Sequence, residues 1–167
     1  MAADSKADTG GLGMASKMGD KTGVSAVEFA IILPLLLVII FGIIEFGLVL
    51  FNKQVITNAS REGARAGIVA RNPRISPNEI EQIVEAYTGS YLMTFGSDNE
   101  TYVTIFVYDS SGNVKTEEPA FGDELEVTVD FNYEFLIFDA ILSLVSGGEG
   151  NGWGTLPLSA RTLMRYE

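Results

Sequence analysis

The chain contains no cysteine and no histidine. Without cysteine there is no disulfide framework, no thiolate metal site and no thiol nucleophile. Without histidine, Ser-His-Asp and Cys-His catalysis fall away, and the usual zinc sites with them. Basic residues are also scarce. Eleven Lys and Arg stand against 22 Asp and Glu, a net charge of -11, which excludes broad affinity for nucleic acid. Charged residues make up only 20% of the 167 positions, while hydrophobic residues make up 47% and the mean hydropathy is +0.23. That imbalance places the apolar residues in one concentrated stretch. The length allows one domain, or two at most.

The stretch is easily found. Phe29 to Ile44 holds 16 uncharged residues, and after Glu45 the sequence FGLVLF extends the run to Phe51. Phe29 to Phe51 is about 34 Å long as a helix, enough to cross a hydrocarbon core of about 30 Å. No polar stripe of helical period interrupts it, so a membrane-inserting helix is expected rather than a buried globular one. A cleaved secretory signal would have a shorter core and a small-x-small site after it. LVLFNKQ offers no such site, so the segment is expected to stay in the mature protein. Residues 1–22 are polar and aperiodic, with Lys6, Lys17 and Lys21 balancing Asp4, Asp8 and Asp20, and read as a disordered soluble leader.

Where leader meets apolar run the residues are Lys21-Thr22-Gly23-Val24-Ser25-Ala26-Val27-Glu28-Phe29. A carboxylate follows Gly23 by five positions and an aromatic residue comes next. An acid at the lip of a membrane helix is costly and calls for a partner. Were the chain cut after Gly23, Val24 would carry a free amine with a pKa near ~8. Glu28 would lie one turn from that amine, or would meet the amine of a neighbouring subunit. An acid favoured at a helix start by the macrodipole is the alternative.

Gly23 followed by VSAVEFAIILPLLL resembles the processing site of type IV prepilins. Ile44-Glu45-Phe46-Gly47, the segment Asn58-Ala59-Ser60-Arg61-Glu62-Gly63-Ala64-Arg65-Ala66-Gly67, and the closing Leu163-Met164-Arg165-Tyr166-Glu167 resemble TadE-like proteins, minor pilins or pseudopilins of the tight-adherence (Flp) pilus system. Major Flp pilins are similar at the cleavage site but lack a domain like residues 76–167. The resemblance implies that a membrane prepilin peptidase recognises Gly23 and that Val24 becomes the new N-terminus. Glu28, with Phe29 beside it, would neutralise an N-terminal amine during subunit docking. It also implies a pilin-like fold, a mature chain of 144 residues (167 less 23) and, as partners, other Tad/Flp pilins and assembly-platform proteins. Lys53, Arg61 and Arg65 follow the apolar run closely, so charge bias alone does not favour an inside N-terminus. The processing motif decides the orientation, because a long acidic domain translocates regardless of nearby charge.

Pro34 removes one helix hydrogen bond in the first third of the run. Glu45, near its far end, is expected either to reach water or to contact a basic group on another subunit or assembly protein. The helix is expected to continue to about Val69 and to lie across a sheet. Ala59, Gly63, Ala66 and Ala70 recur at small spacings and form a helix-packing stripe on which a neighbour approaches closely. Arg61, Arg65, Arg71 and Arg74 then face solvent or acidic neighbours. Residues 53–74 hold five cations against one acid, net +4, and residues 76–160 hold 15 acids and one lysine, net -14. The asymmetry suits attraction between a basic neck and an acidic head, within or between subunits, or serves solubility alone.

In the head, Asn72-Pro73 stops the long helix. Ser76-Pro77-Asn78-Glu79 is a helix start with a capping box, and Ile80, Ile83, Val84, Tyr87 and Tyr91 follow at helical spacing. Thr101–Tyr108, Glu124–Tyr133 and Thr155–Tyr166 read as strands, the last two with clean alternation. Asp109-Ser110-Ser111-Gly112-Asn113 is a turn, and Ala120 at the twelfth position rules out an EF-hand. Phe135–Val145 reads as a short helix or buried crossover. Gly147–Gly154 reads as a flexible loop without the ending of a phosphate loop, and carries Trp153 as a ring on the sheet or a subunit contact.

These readings converge on an α+β, pilin-like protein. A leader (1–23), a transmembrane helix (24–51), a helix continuation and neck (52–75) and a small antiparallel head (76–167) follow in order. The expected function is that of a minor pilin of Flp pili, inserted in the inner membrane with its head periplasmic and later at the pilus or cell surface. No catalysis, cofactor, metal, nucleic acid or small-molecule substrate is expected; Glu117-Glu118 and Asp123-Glu124 read as solvated turn acids. The competing reading is a permanently anchored single-pass protein whose acidic head binds a partner without a filament role.

Overall fold

The structure is a computed structural model and describes residues 20–94, 100–135 and 155–166, with side chains from Gly23 onward. The expectations for the leader up to residue 19, for Phe135–Val145 beyond Phe135, for Gly147–Gly154 with Trp153, and for Glu167 lie outside the described residues. The elements are α1 (Asp20–Ile68), α2 (Pro77–Tyr91), β1 (Thr101–Tyr108), β2 (Glu124–Glu134) and β3 (Thr155–Arg165). This is an α+β chain with one long apolar N-terminal helix. The helix starts at Asp20, so Gly23 lies inside it.

The chain divides into two compact units, residues 1–39 and 40–167. The described part of the first is helix, and its large apolar side chains are exposed, Ile31 by 72% and Leu35 by 63%. Over its most apolar window the long helix has a mean hydropathy of 2.9 with none of that window buried, which fits membrane anchoring. α1 continues through Pro34.

The second unit carries the core. β1, β2 and β3 form an antiparallel sheet in that order, with β2 central. Alternation on β2 sends Leu125, Val127, Val129, Phe131 and Tyr133 to one face, all buried. Leu158 and Ala160 of β3 extend that face, and Ile56, Ala59 and Ala64 of α1 cover it together with Ile80 and Val84 of α2. The opposite face carries ion pairs. Arg161 reaches Glu126 at 2.5 Å and Arg165 reaches Glu124 at 3.1 Å.

α2 begins as its sequence dictates. The Ser76 hydroxyl accepts from the Glu79 N–H while the Glu79 carboxylate accepts from the Ser76 N–H, with Pro77 at the first helical position. The Ser76 N–H and hydroxyl, both donating to Glu79 Oε2, followed by the charge of Arg71, hold the Glu79 carboxyl below its usual range. α1 ends at Ile68, four residues before the cis Asn72-Pro73 bond. Asp109 organises the turn after β1, its Oδ1 accepting from the N–H groups of Ser111 and Asn113, and Gly112 supplies the positive φ of 81°.

Candidate functional site

Two regions hold the residues that the sequence singles out. The first is the start of the apolar helix. Gly23, Val24, Glu28 and Phe29 are all exposed on α1, Val24 by 58% and Phe29 by 59%. Val24 and Glu28 are one helical turn apart and therefore share a face. A Cβ added at Gly23 would meet nothing within 4 Å. The steric reason for a glycine there is thus not in the folded chain.

The second region is the seam between α1 and the head, which opens at Glu45. Glu45 is 2% exposed, and its Oε1 accepts the Tyr133 hydroxyl at 2.7 Å. This burial against Tyr133 differs from the expectation that Glu45 reaches water. Burial first, then the Glu45 bond, pushes the Tyr133 hydroxyl above its ordinary range. Two turns further on, Asn52 is fully buried. Its Nδ2 donates to the Met93 carbonyl at 2.7 Å and its Oδ1 accepts the Met93 N–H at 2.9 Å. One side chain thereby satisfies both backbone groups of a residue beyond the C-terminus of α2. Lys53 donates to the Ser159 carbonyl, and the hydroxyls of Ser60 and Thr162 lie 2.7 Å apart.

The seam then tightens. A Cβ at Gly63 would come within 2.6 Å of Val84 Cγ2, and one at Gly67 would overlap Leu125 and Ile80. A side chain at either position would force these neighbouring side chains to shift. The stripe expected from spacing is displaced: Ala59 and Gly63 are buried, Ala66 is half-buried, and Ala70 is exposed beyond the end of α1. Gly67 takes the place assigned to Ala70, because the packed face follows Ala59, Gly63 and Gly67 in steps of four. Arg74 also differs from expectation. It lies over the Tyr166 ring, 4.7 Å from the centroid, whereas Arg61, Arg65 and Arg71 are exposed.

Asp123 closes the far end of the head. Its Oδ2 accepts from Lys115 and from the Ala120 N–H, both at 2.7 Å, and its backbone carbonyl accepts the Tyr166 N–H. Lys115 foremost, then Ala120, hold the Asp123 carboxyl below the usual carboxylate range. Glu124 is occupied by Arg165, so neither member of that acid pair is merely solvated. Glu117 and Glu118 are exposed. Among the described residues no group of three or more His, Cys, Asp and Glu side chains is placed to hold a metal ion.

Sequence reasoning missed Tyr133, Asn52 and Gly67. The signal for Asn52 was present: an amide directly after the apolar run needs partners if it is buried.

An apolar N-terminal helix whose second half is built into a three-stranded α+β head fits membrane anchoring. Residues 23–65 match the family model described as TadE-like protein, 43 of the 167 positions, consistent with a TadE-like protein of the Tad pilus system. The matched segment starts at Gly23 and includes Glu28, Glu45, Asn52 and Gly63. No curated protein and no solved structure shows a significant match to the chain.

Proposed function

We propose that this protein is a minor pilin of a Tad (Flp) pilus, trimmed after Gly23 by a prepilin peptidase and then transferred from the inner membrane into the filament or its priming complex. The observation that carries this reading is the family match beginning at Gly23, at the head of an exposed apolar helix. Trimming would expose the Val24 amine one turn from the Glu28 carboxyl. Within a bilayer each charge is costly alone, and their pairing, within one chain or between neighbours, offsets that cost. The exposed side chains from Val24 to Ile44 face lipid first and neighbouring pilin helices afterwards. The periplasmic head stays attached through the seam around Glu45, Asn52 and Gly63. The role is structural, and the partners are the peptidase, other pilins and the assembly platform.

The test is the N-terminal residue of protein co-expressed with the peptidase. Val24 is expected, with a mass lower by 23 residues. Retention of Met1 in protein recovered from sheared surface filaments would overturn the processing step. Absence from filaments, with all protein left in the membrane, would favour a permanent anchor.

A further inference from the structure

Charge pairing in the head is uneven, and the leftovers are matched. Arg61 and Arg65 lie one turn apart on the exposed face of α1, and neither makes an ion pair or side-chain hydrogen bond with any described residue. Glu126 and Glu124 of β2 are already occupied by Arg161 and Arg165, and Asp130 and Glu134 lie on the same outer face of the strand, opposite the helices. Glu81 and Glu85, also one turn apart on α2, and Glu100, exposed just before β1, make no ion pair among the described residues. Glu85 and Glu100 line a cleft of about 320 Å³ between α2 and the start of β1, with Thr88, Thr101 and Tyr102 around them.

The two groups sit on opposite flanks. The Thr88 and Thr101 hydroxyls, 3.2 Å apart, fix α2 over β1. Ser60 against Thr162 and Lys53 against Ser159 fix α1 over β3. β1 and β3 are the two edges of the sheet. The basic row and the acidic cleft of one head therefore do not neutralise each other.

We propose that Arg61 and Arg65 of one chain dock against Glu81, Glu85 and Glu100 of a second copy. Each pair is separated by one helical turn, about 6 Å along its axis, so the two rows match in pitch as well as in sign. Because the surfaces differ and lie on opposite flanks, the contact is heterologous, and repeating it gives a ring or an open helical array. The proposal deepens the pilin reading and rests on it for its setting, by naming a head-to-head contact between subunits.

The lack of native cysteine makes the test direct. Full-length chains carrying Glu62→Cys or Gly89→Cys are mixed in detergent and treated with a short bifunctional maleimide; both positions are exposed, and a Cβ at Gly89 meets nothing within 4 Å. The mixture is expected to give at least about 5-fold more dimer than either variant alone. Raising salt to 0.5 M should suppress it, because screening there acts within a few ångströms. Arg61→Glu with Arg65→Glu on the Glu62→Cys chain should abolish the dimer, and Glu81→Arg with Glu85→Arg on the partner should restore it. No excess in the mixture, no response to charge reversal, or capture of a species of another mass by the thiol at position 89 would overturn the proposal. Recovery of the protein in sheared filaments is scored separately. Filaments without the cross-link remove this contact and leave the pilin reading, whereas the cross-link without filaments does the reverse.

Discussion

The Tyr133 hydroxyl donates to Glu45 across 2.7 Å, joining residues 88 positions apart in the chain. The bond ties the end of the central strand to α1 where the apolar run takes its one interior charge-bearing residue. Both side chains are buried, so the bond has no ready substitute from water. Tyr133→Phe is expected to destabilise the head by about 1 kcal/mol, the net contribution of one hydrogen bond. Glu45→Gln keeps an acceptor and should cost less than Glu45→Leu. Thermal unfolding in detergent measures all three. Equal midpoints for Tyr133→Phe and wild type would show that the bond contributes nothing.

Gly63 and Gly67 set how closely α1 approaches α2 and β2. A methyl group at Gly63 meets the side chain of Val84, and one at Gly67 meets Leu125 and Ile80. Overpacking of this kind typically costs 1–3 kcal/mol. Gly63→Ala and Gly67→Ala are expected to lower the unfolding midpoint, and Val84→Ala should partly rescue Gly63→Ala by opening the space that the methyl needs. Gly89→Ala, in open space on α2, is the control and should be neutral or slightly stabilising.

The strands of the head were legible because alternation on β2 and β3 leaves one possible inner face. The start of α2 was legible because Ser76, Pro77 and Glu79 fit a capping box and little else. The packed face of α1 was legible only in part. Small residues occur on several sides of that helix, and spacing alone does not separate Gly67 from Ala70; the difference lies in which one meets Leu125. Glu45 resisted for a related reason. Its partner arrives from the far end of a strand 88 positions later, and no local pattern announces a tyrosine hydroxyl aimed at a carboxyl. The features of the junction at Gly23 are of another kind. Under the proposed function they concern recognition by a peptidase, which sequence carries and the folded chain does not.

Acid should weaken the far end of the head through Asp123. Its carboxyl is held below the usual carboxylate range by Lys115 and by the Ala120 N–H. A depressed folded value means that the contribution is fully present above the unfolded value near 4 and is lost as pH falls through the folded one. Urea unfolding of wild type and Asp123→Asn is expected to differ most at pH 5–7, with the gap closing below about pH 4. A gap that persists unchanged at pH 2 would show that the carboxylate charge plays no part.

The proposed trimming at Gly23 can be separated from folding. A methyl group there meets no neighbour, so Gly23→Ala should leave the unfolding free energy within about 0.5 kcal/mol of wild type. Slower removal of the leader, seen as accumulation of a product 23 residues longer, would then report recognition by the peptidase alone. Glu28→Gln separates the later step. It leaves the cleavage residue in place and removes the charge available to the Val24 amine, so the trimmed chain is expected to accumulate in the membrane and be depleted from filaments. Trimmed Glu28→Gln protein incorporated at the wild-type level would show that the pairing of amine and carboxyl is dispensable for docking. Untrimmed Glu28→Gln protein would instead move this residue into the recognition step.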